Sequence, residues 1–218
     1  MTRLYVPVLC LLAVLFAAAP FLIMNAPYEA TMGLVQKIFY FHAPIGMVMF
    51  LSAFVCGVSG LLYLVKREPR YDRVSFAAAE LTVLLGTLVL ITGPLWARKA
   101  WGIWWDWEPR LTSSLLLWMI FVAYLLLRRF GGPGSERLSA AVALFGAANV
   151  PFVYISVNVW RTLHPKTTVV PSLGPGMREP FWYSFFAFLL LYLVVLAARV
   201  RLERQRAEVE QLYLELEE

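Results

Sequence analysis

Charge is scarce in this chain. Only 15% of its 218 residues are Asp, Glu, Lys or Arg, while 61% are hydrophobic, which excludes a soluble globular domain. Cysteine and histidine are rarer still, at two residues each. Cys10 and Cys56 form no CxxC and have no partner at short spacing. That excludes a disulfide framework or thiol relay and leaves both as buried small hydrophobes. Two histidines are too few to close a structural zinc site. No phosphate-binding loop, no nucleophile beside a base and no paired general acid and base occurs. These absences point to a binding and hand-over protein rather than an enzyme.

Apolar sequence is abundant. Six stretches approach or exceed the length needed to cross a hydrocarbon core as helices, about 20 residues each. They run from Leu4 to Met24, Ala43 to Val65, Phe76 to Trp96, Thr112 to Leu127, Leu138 to Val159 and Phe181 to Ala198. The fourth is the shortest and has the tryptophan-rich stretch before it to borrow a turn from. The first resembles a signal peptide only superficially, because its apolar run continues past Pro20 to Met24. The expected fold is an all-α polytopic membrane protein with six transmembrane helices. Twelve basic residues then fall on the face holding the N-terminus, Arg3 among them, and seven on the other. This bias places both termini in the cytoplasm. It also accounts for the net charge of +5 without a nucleic-acid partner.

Between the third and fourth spans lies WGIWWDWEPRLTS, Trp101 to Ser113. Trp101, Trp104, Trp105 and Trp107 are half of the chain's 8 tryptophans, interleaved with Asp106, Glu108 and Arg110. An interfacial aromatic belt scatters its rings over several helix ends. A dense cluster with carboxylates and an arginine is instead a platform for a flat apolar ligand carrying acidic groups. His42 precedes span two and His164 follows span five, so the same topology brings both histidines to the face of the tryptophans. Heme iron commonly takes axial imidazoles, and two histidines suffice to hold a heme from both sides. Arg110 can pair with a propionate or with Glu108. Arg98, Lys99, Arg161 and Lys166 are further propionate candidates.

These motifs resemble a family. The tryptophan stretch with its RLTS ending is similar to the WWD signature of the CcmC-type heme-handling membrane proteins of cytochrome c maturation. YFHAP, Tyr40 to Pro44, and SVNVWRTLHP, Ser156 to Pro165, resemble that family's other two motifs, in order. The family usually carries Asp where this chain has Glu108, so either Asp106 or Glu108 fills the acidic role. The resemblance implies that heme b is held at the periplasmic face of a bacterial inner membrane. His42 and His164 would be its metal ligands, and Trp101, Trp104, Trp105, Trp107, Asp106, Glu108, Arg110, Trp160 and Arg161 would surround the cofactor. It also implies delivery to a periplasmic heme chaperone, within a complex that includes ABC transporter subunits and a small membrane subunit. Alternatives are a heme-attaching synthetase of the same superfamily, for which a longer chain with more histidines is expected, or a structural subunit of a membrane transporter. A quinone-linked cytochrome b would need histidine pairs inside its spans.

The remaining sequence gives local expectations. Leu34, Ile38 and Phe41 recur at helical spacing, which predicts a short amphipathic helix in the membrane interface. Pro44, Pro109 and Pro180 are placed to open the helices that run inward, since proline costs no hydrogen bond at a first helical position. Pro151 bends the fifth span. Glu80 lies about one turn inside the third span, within reach of a basic neighbour such as Arg73. Residues 1–198 form the membrane domain. Residues 199–218 form a cytoplasmic amphipathic tail with Leu202, Val209 and Leu216 at heptad spacing, which binds either a partner or the membrane surface.

Overall fold

A computed structural model describes the backbone of residues 2–217 and the side chains of 5–217. The side chain of Arg3, counted in the topology, and Glu218 of the tail lie outside the described residues. Six helices are long and apolar enough to span a membrane, as the sequence predicts. They are α1 (Thr2–Asn25), α2 (Phe39–Lys66), α3 (Pro69–Trp101), α4 (Pro109–Phe130), α5 (Ser135–Val159) and α6 (Arg178–Glu217). Alternating spans gather the α1–α2, α3–α4 and α5–α6 connections at one end of the bundle. His42, the tryptophan stretch and His164 all lie at that end.

Helix α2 is the axis of the fold. It packs on α3, α5 and α6, while α4 bridges α3 and α5, and α1 leans on the outside of α6. Close approach of α2 and α5 depends on small residues. A Cβ at Gly57 would fall 2.4 Å from that of Ala147, and one at Gly60 3.1 Å from the Ala140 carbonyl oxygen. Small residues let helix backbones approach closely in lipid, where van der Waals packing replaces the hydrophobic effect as the driving force. Among the described residues α5 and α6 share no packed interface, and the side of α2 between them is open.

Helix ends differ from the expected spans in instructive ways. Helix α3 begins at Pro69 and takes in Arg70, Asp72 and Arg73, so hydropathy marked the apolar segment and not the end of the helix. It continues through Pro94 to Trp101, which makes the first tryptophan of the motif helical. Pro109 does open α4, as expected. Pro44 does not open α2, which starts five residues earlier, and His42 therefore sits inside its first turns. Pro180 is third in α6, still within the turn whose N–H groups have no helical partner. The interfacial helix is replaced by one 3₁₀ turn, Leu34–Ile38, running directly into α2. Its orientation is the reverse of an interfacial helix: Gln36 and Lys37 are buried and Leu34 is exposed. The Lys37 ammonium donates to the Ala26 carbonyl, which ties the connection to the end of α1.

Glu80 pairs with Arg199, not Arg73. The Arg199 guanidinium donates to both carboxylate oxygens, at 2.8 and 2.9 Å. Cys56 is buried and its thiol lies 3.3 Å from the Ser75 hydroxyl. Cys10, expected to be buried, is exposed on α1. The tail continues α6 without a break, and Leu202, Val209, Leu212 and Leu216 are exposed along it.

Candidate functional site

His42 is held by helix α2 against α3. Its Nδ1 lies 2.8 Å from the Thr92 hydroxyl, and that hydroxyl gives its own proton to the Leu88 carbonyl at 2.7 Å. Thr92 can then accept, which assigns the hydrogen to Nδ1 of His42 and, in the neutral ring, the lone pair to Nε2. Gly93 leaves room for the ring, since a Cβ there would sit 3.3 Å from Cε1 of His42. Trp96, one turn further along α3, meets the imidazole edge-on at 5.8 Å.

His164 reaches the same tautomer by a different route. It lies in the connection after α5, where its Nδ1 is 2.8 Å from the carbonyl of Pro165, a pure acceptor. Nδ1 again donates and Nε2 is again free. Burial, reinforced by the charge of Arg110, pushes the His164 pKa down to about 3, with the Pro165 bond opposing. The imidazole is therefore neutral near pH 7, as metal ligation requires.

The connection that holds His164 is fixed by two contacts. Asn158 and Thr167 exchange hydrogen bonds at 2.9 and 3.2 Å across its base. Glu108, buried just before Pro109, accepts the Leu163 N–H at 2.9 Å. Its second carboxylate oxygen is buried without a hydrogen-bond partner. Asp106, by contrast, is exposed. Of the two carboxylates only Glu108 joins the tryptophan loop to the histidine loop.

Both histidines line one cavity of about 580 Å³, together with Arg110, Tyr154 and Trp182. A smaller one beside it shares both histidines and Arg110 and is walled by Trp101, Trp104 and Trp105. Trp101 stacks on Trp96 at 6.2 Å, and the Arg98 guanidinium lies 5.9 Å from the Trp104 ring centroid. The indole N–H groups of Trp96 and Trp105 are buried and unpartnered. Arg110 donates to the Val153 carbonyl of α5 at 2.5 Å and lies over the Phe50 ring. It makes no hydrogen bond to Glu108, the alternative to a propionate that the sequence offered.

Among the sequence candidates, His42, His164, Arg110, Trp101, Trp104 and Trp105 line the two cavities. Lys166 lines the larger one. Trp107 and Asp106 are exposed and line neither, and Trp107 rests edge-on against Trp105. Trp160 packs on Phe152, and Arg161 is exposed, both away from the cavities. Sequence reasoning missed Thr92, Trp96, Tyr154, Arg178 and Trp182. Thr92, Gly93 and Trp96 belong to a TGPLW run inside an apolar span. A polar hydroxyl, a glycine and a proline clustered there were the available signal.

The family model described as CcmC, Heme exporter protein C, matches residues 1–215. The chain belongs to that family. Relatives named Heme exporter protein C include one from Bradyrhizobium diazoefficiens, 35% identical over 198 residues. That alignment covers 87% of this chain and 74% of the relative. Another, from Escherichia coli strain K12, is 32% identical over 204 residues, covering 87% and 80%. A third, from Paracoccus denitrificans, is 30% identical over 189 residues, covering 83% and 78%. Membership in the CcmC family agrees with the three sequence motifs and with six helices suited to crossing a membrane.

Proposed function

We propose that this chain carries heme as cargo at its histidine end, with His42 and His164 as the axial ligands. The observation that carries the reading is that two imidazoles, each with Nδ1 committed to a fixed acceptor, line one cavity. Orienting a ligand histidine through its other ring nitrogen is the usual way a protein prepares a metal site. The cavity volume falls within the range of small-molecule and cofactor sites, about 300–1,000 Å³. Trp101, Trp104 and Trp105 supply aromatic area beside it. Arg110, Lys166 and Arg178 supply cationic donors for propionates.

Family membership supports a role in heme export and cytochrome c maturation. In this reading both termini are cytoplasmic and the histidine end faces the periplasm of a bacterial inner membrane. Heme b passes from there to a periplasmic heme chaperone, within a complex containing ABC transporter subunits and a small membrane subunit. The protein binds and transfers, with no bond made or broken in the porphyrin.

The test is the absorption spectrum of the purified protein. A six-coordinate low-spin spectrum is expected, lost on His42→Ala or His164→Ala and restored by added imidazole. A double variant that keeps the wild-type low-spin spectrum would overturn the ligand assignment. Orientation is checked separately with single cysteines at positions 30 and 170, which an impermeant reagent should label in intact cells. Labelling at position 70 instead would mean the inverse topology.

A further inference from the structure

The cavity is bounded by α2, α3, α5 and α6 and by the α5–α6 connection. Its back wall is α2 and α3, through His42, Val89 and Trp96. Residues of the α5–α6 connection, from Pro165 to Pro171, cover the end facing away from the bundle. On the α5 side it is bounded by Tyr154 and Val157. The remaining flank is the open side of α2 between α5 and α6.

Helical phase shows where that side leads. On α2, Leu51, Phe54, Val58, Leu61 and Val65 are 40–72% exposed and recur every three or four residues, forming one stripe. Continued toward the histidine end, the same stripe passes through Met47 and Ala43, both cavity-lining. Cavity and stripe are therefore one continuous apolar surface. Tyr154 of α5 and Trp182 of α6 line the cavity and are also exposed, so each reaches from the cavity to the surface of the bundle. The other lining groups include Ala43, Met47 and Phe50 of α2, with the Arg110 guanidinium over the Phe50 ring. Lys166 and Arg178 belong to the α5–α6 connection and the start of α6.

We propose that the cavity is loaded sideways from the bilayer: the porphyrin slides between Tyr154 and Trp182 through the gap separating α5 from α6. This rests on the heme reading above. This lining suits an amphiphilic porphyrin entering edge-first. Its apolar faces pass Ala43 and Met47, and its propionates meet Arg110, Lys166 and Arg178. Such a path keeps the ring out of water throughout, which area-proportional burial favours. The α5–α6 connection then acts as a fixed roof and does not have to open.

The test uses the full chain in lipid nanodiscs, with Cys10→Ser, Cys56→Ala and Met47→Cys so that one thiol reports on the mouth. A lipophilic pyrene maleimide should label it and a charged maleimide should not. The labelled protein should take up hemin at least tenfold more slowly, read from growth of the low-spin Soret band. Protein loaded with hemin beforehand should be protected from the reagent by at least tenfold. Phe54→Cys, further along the stripe, should label equally well and leave uptake unchanged. Uptake at the unlabelled rate after modification at position 47, or equal reaction with the charged reagent, would overturn the proposal. If Met47→Cys does not fold, Tyr154→Cys gives the same readings. If the unmodified protein shows no heme band at all, the heme reading fails. The selectivity between the two reagents then still decides whether the cavity opens to lipid.

Discussion

At the end of the bundle away from the histidines, acids and bases meet. Arg128 grips Asp72 through two hydrogen bonds of 2.8 and 2.9 Å, and Arg199 holds both Glu80 and Glu203. At the histidine end the cations bind carbonyls instead: Arg110 that of Val153, Arg178 that of Leu173, Arg98 that of Gly102 and Lys37 that of Ala26. Every ion pair among the described residues lies at the first end. A carbonyl orients a guanidinium without cancelling its charge. The contrast separates cations that hold the fold together from cations still able to attract an anion.

Exchanging one arginine at each end is the sharpest way to break that contrast. Arg128→Leu leaves the Asp72 carboxylate largely buried without its partner, at a cost of about 3–5 kcal/mol of stability. Thermal unfolding should show this, while the folded fraction binds heme as before. Arg110→Leu should do the reverse, with an unfolding midpoint near wild type and heme retention at least tenfold weaker. Similar stability losses for both would erase the distinction between the two ends.

Glu108 tests how the histidine end is held. Glu108→Ala strands the Leu163 N–H, a loss of about 1–3 kcal/mol. It should give a mixed spectrum as His164 loses its position. Glu108→Gln keeps an acceptor and should retain the low-spin form. Equal loss in both would mean that charge, and not the hydrogen bond, is what matters.

A smaller effect comes with pH. The folded pKa of His164, about 3, lies below its ordinary value of 6.5. Between those values the unfolded chain binds the proton and the folded chain does not, so stability falls as pH drops from 6.5 toward 3. Above 6.5 this group contributes no pH dependence. The heme-free protein should show that fall in its unfolding midpoint, and His164→Ala should show a shallower one. The smallest effect is expected from removing residues 204–217, whose exposed pairs such as Arg204–Glu208 contribute only tenths of a kcal/mol. Heme content should not change.

Much of this was legible in the chain itself, for reasons that also explain the rest. Six spans follow from apolar run length, and the meeting of His42, His164 and the tryptophans follows from counting crossings. Packing partners do not follow from either. Glu80 was matched to Arg73 because the two are close in sequence, whereas its partner Arg199 is 119 residues away. Nothing in the sequence pattern singles out Tyr154 and Trp182 among the aromatic residues of the apolar spans. Their place at a cavity depends on which helices fail to touch, and no periodicity encodes that. Tautomers were also out of reach, because they depend on a threonine on another helix and on a neighbouring carbonyl.

Helix α6 has one more consequence, a mechanical one. From Phe181 to Glu217 it contains neither glycine nor proline and no interruption, so it has no hinge of the usual kinds. Trp182 and Leu216 are then two points on a single rod, separated by about 50 Å at 1.5 Å per residue. A force applied to the tail is delivered to the far end as a tilt. A tilt of the segment from Leu202 to Leu216 is thereby a tilt at Trp182 as well, although the two lie at opposite ends of the helix.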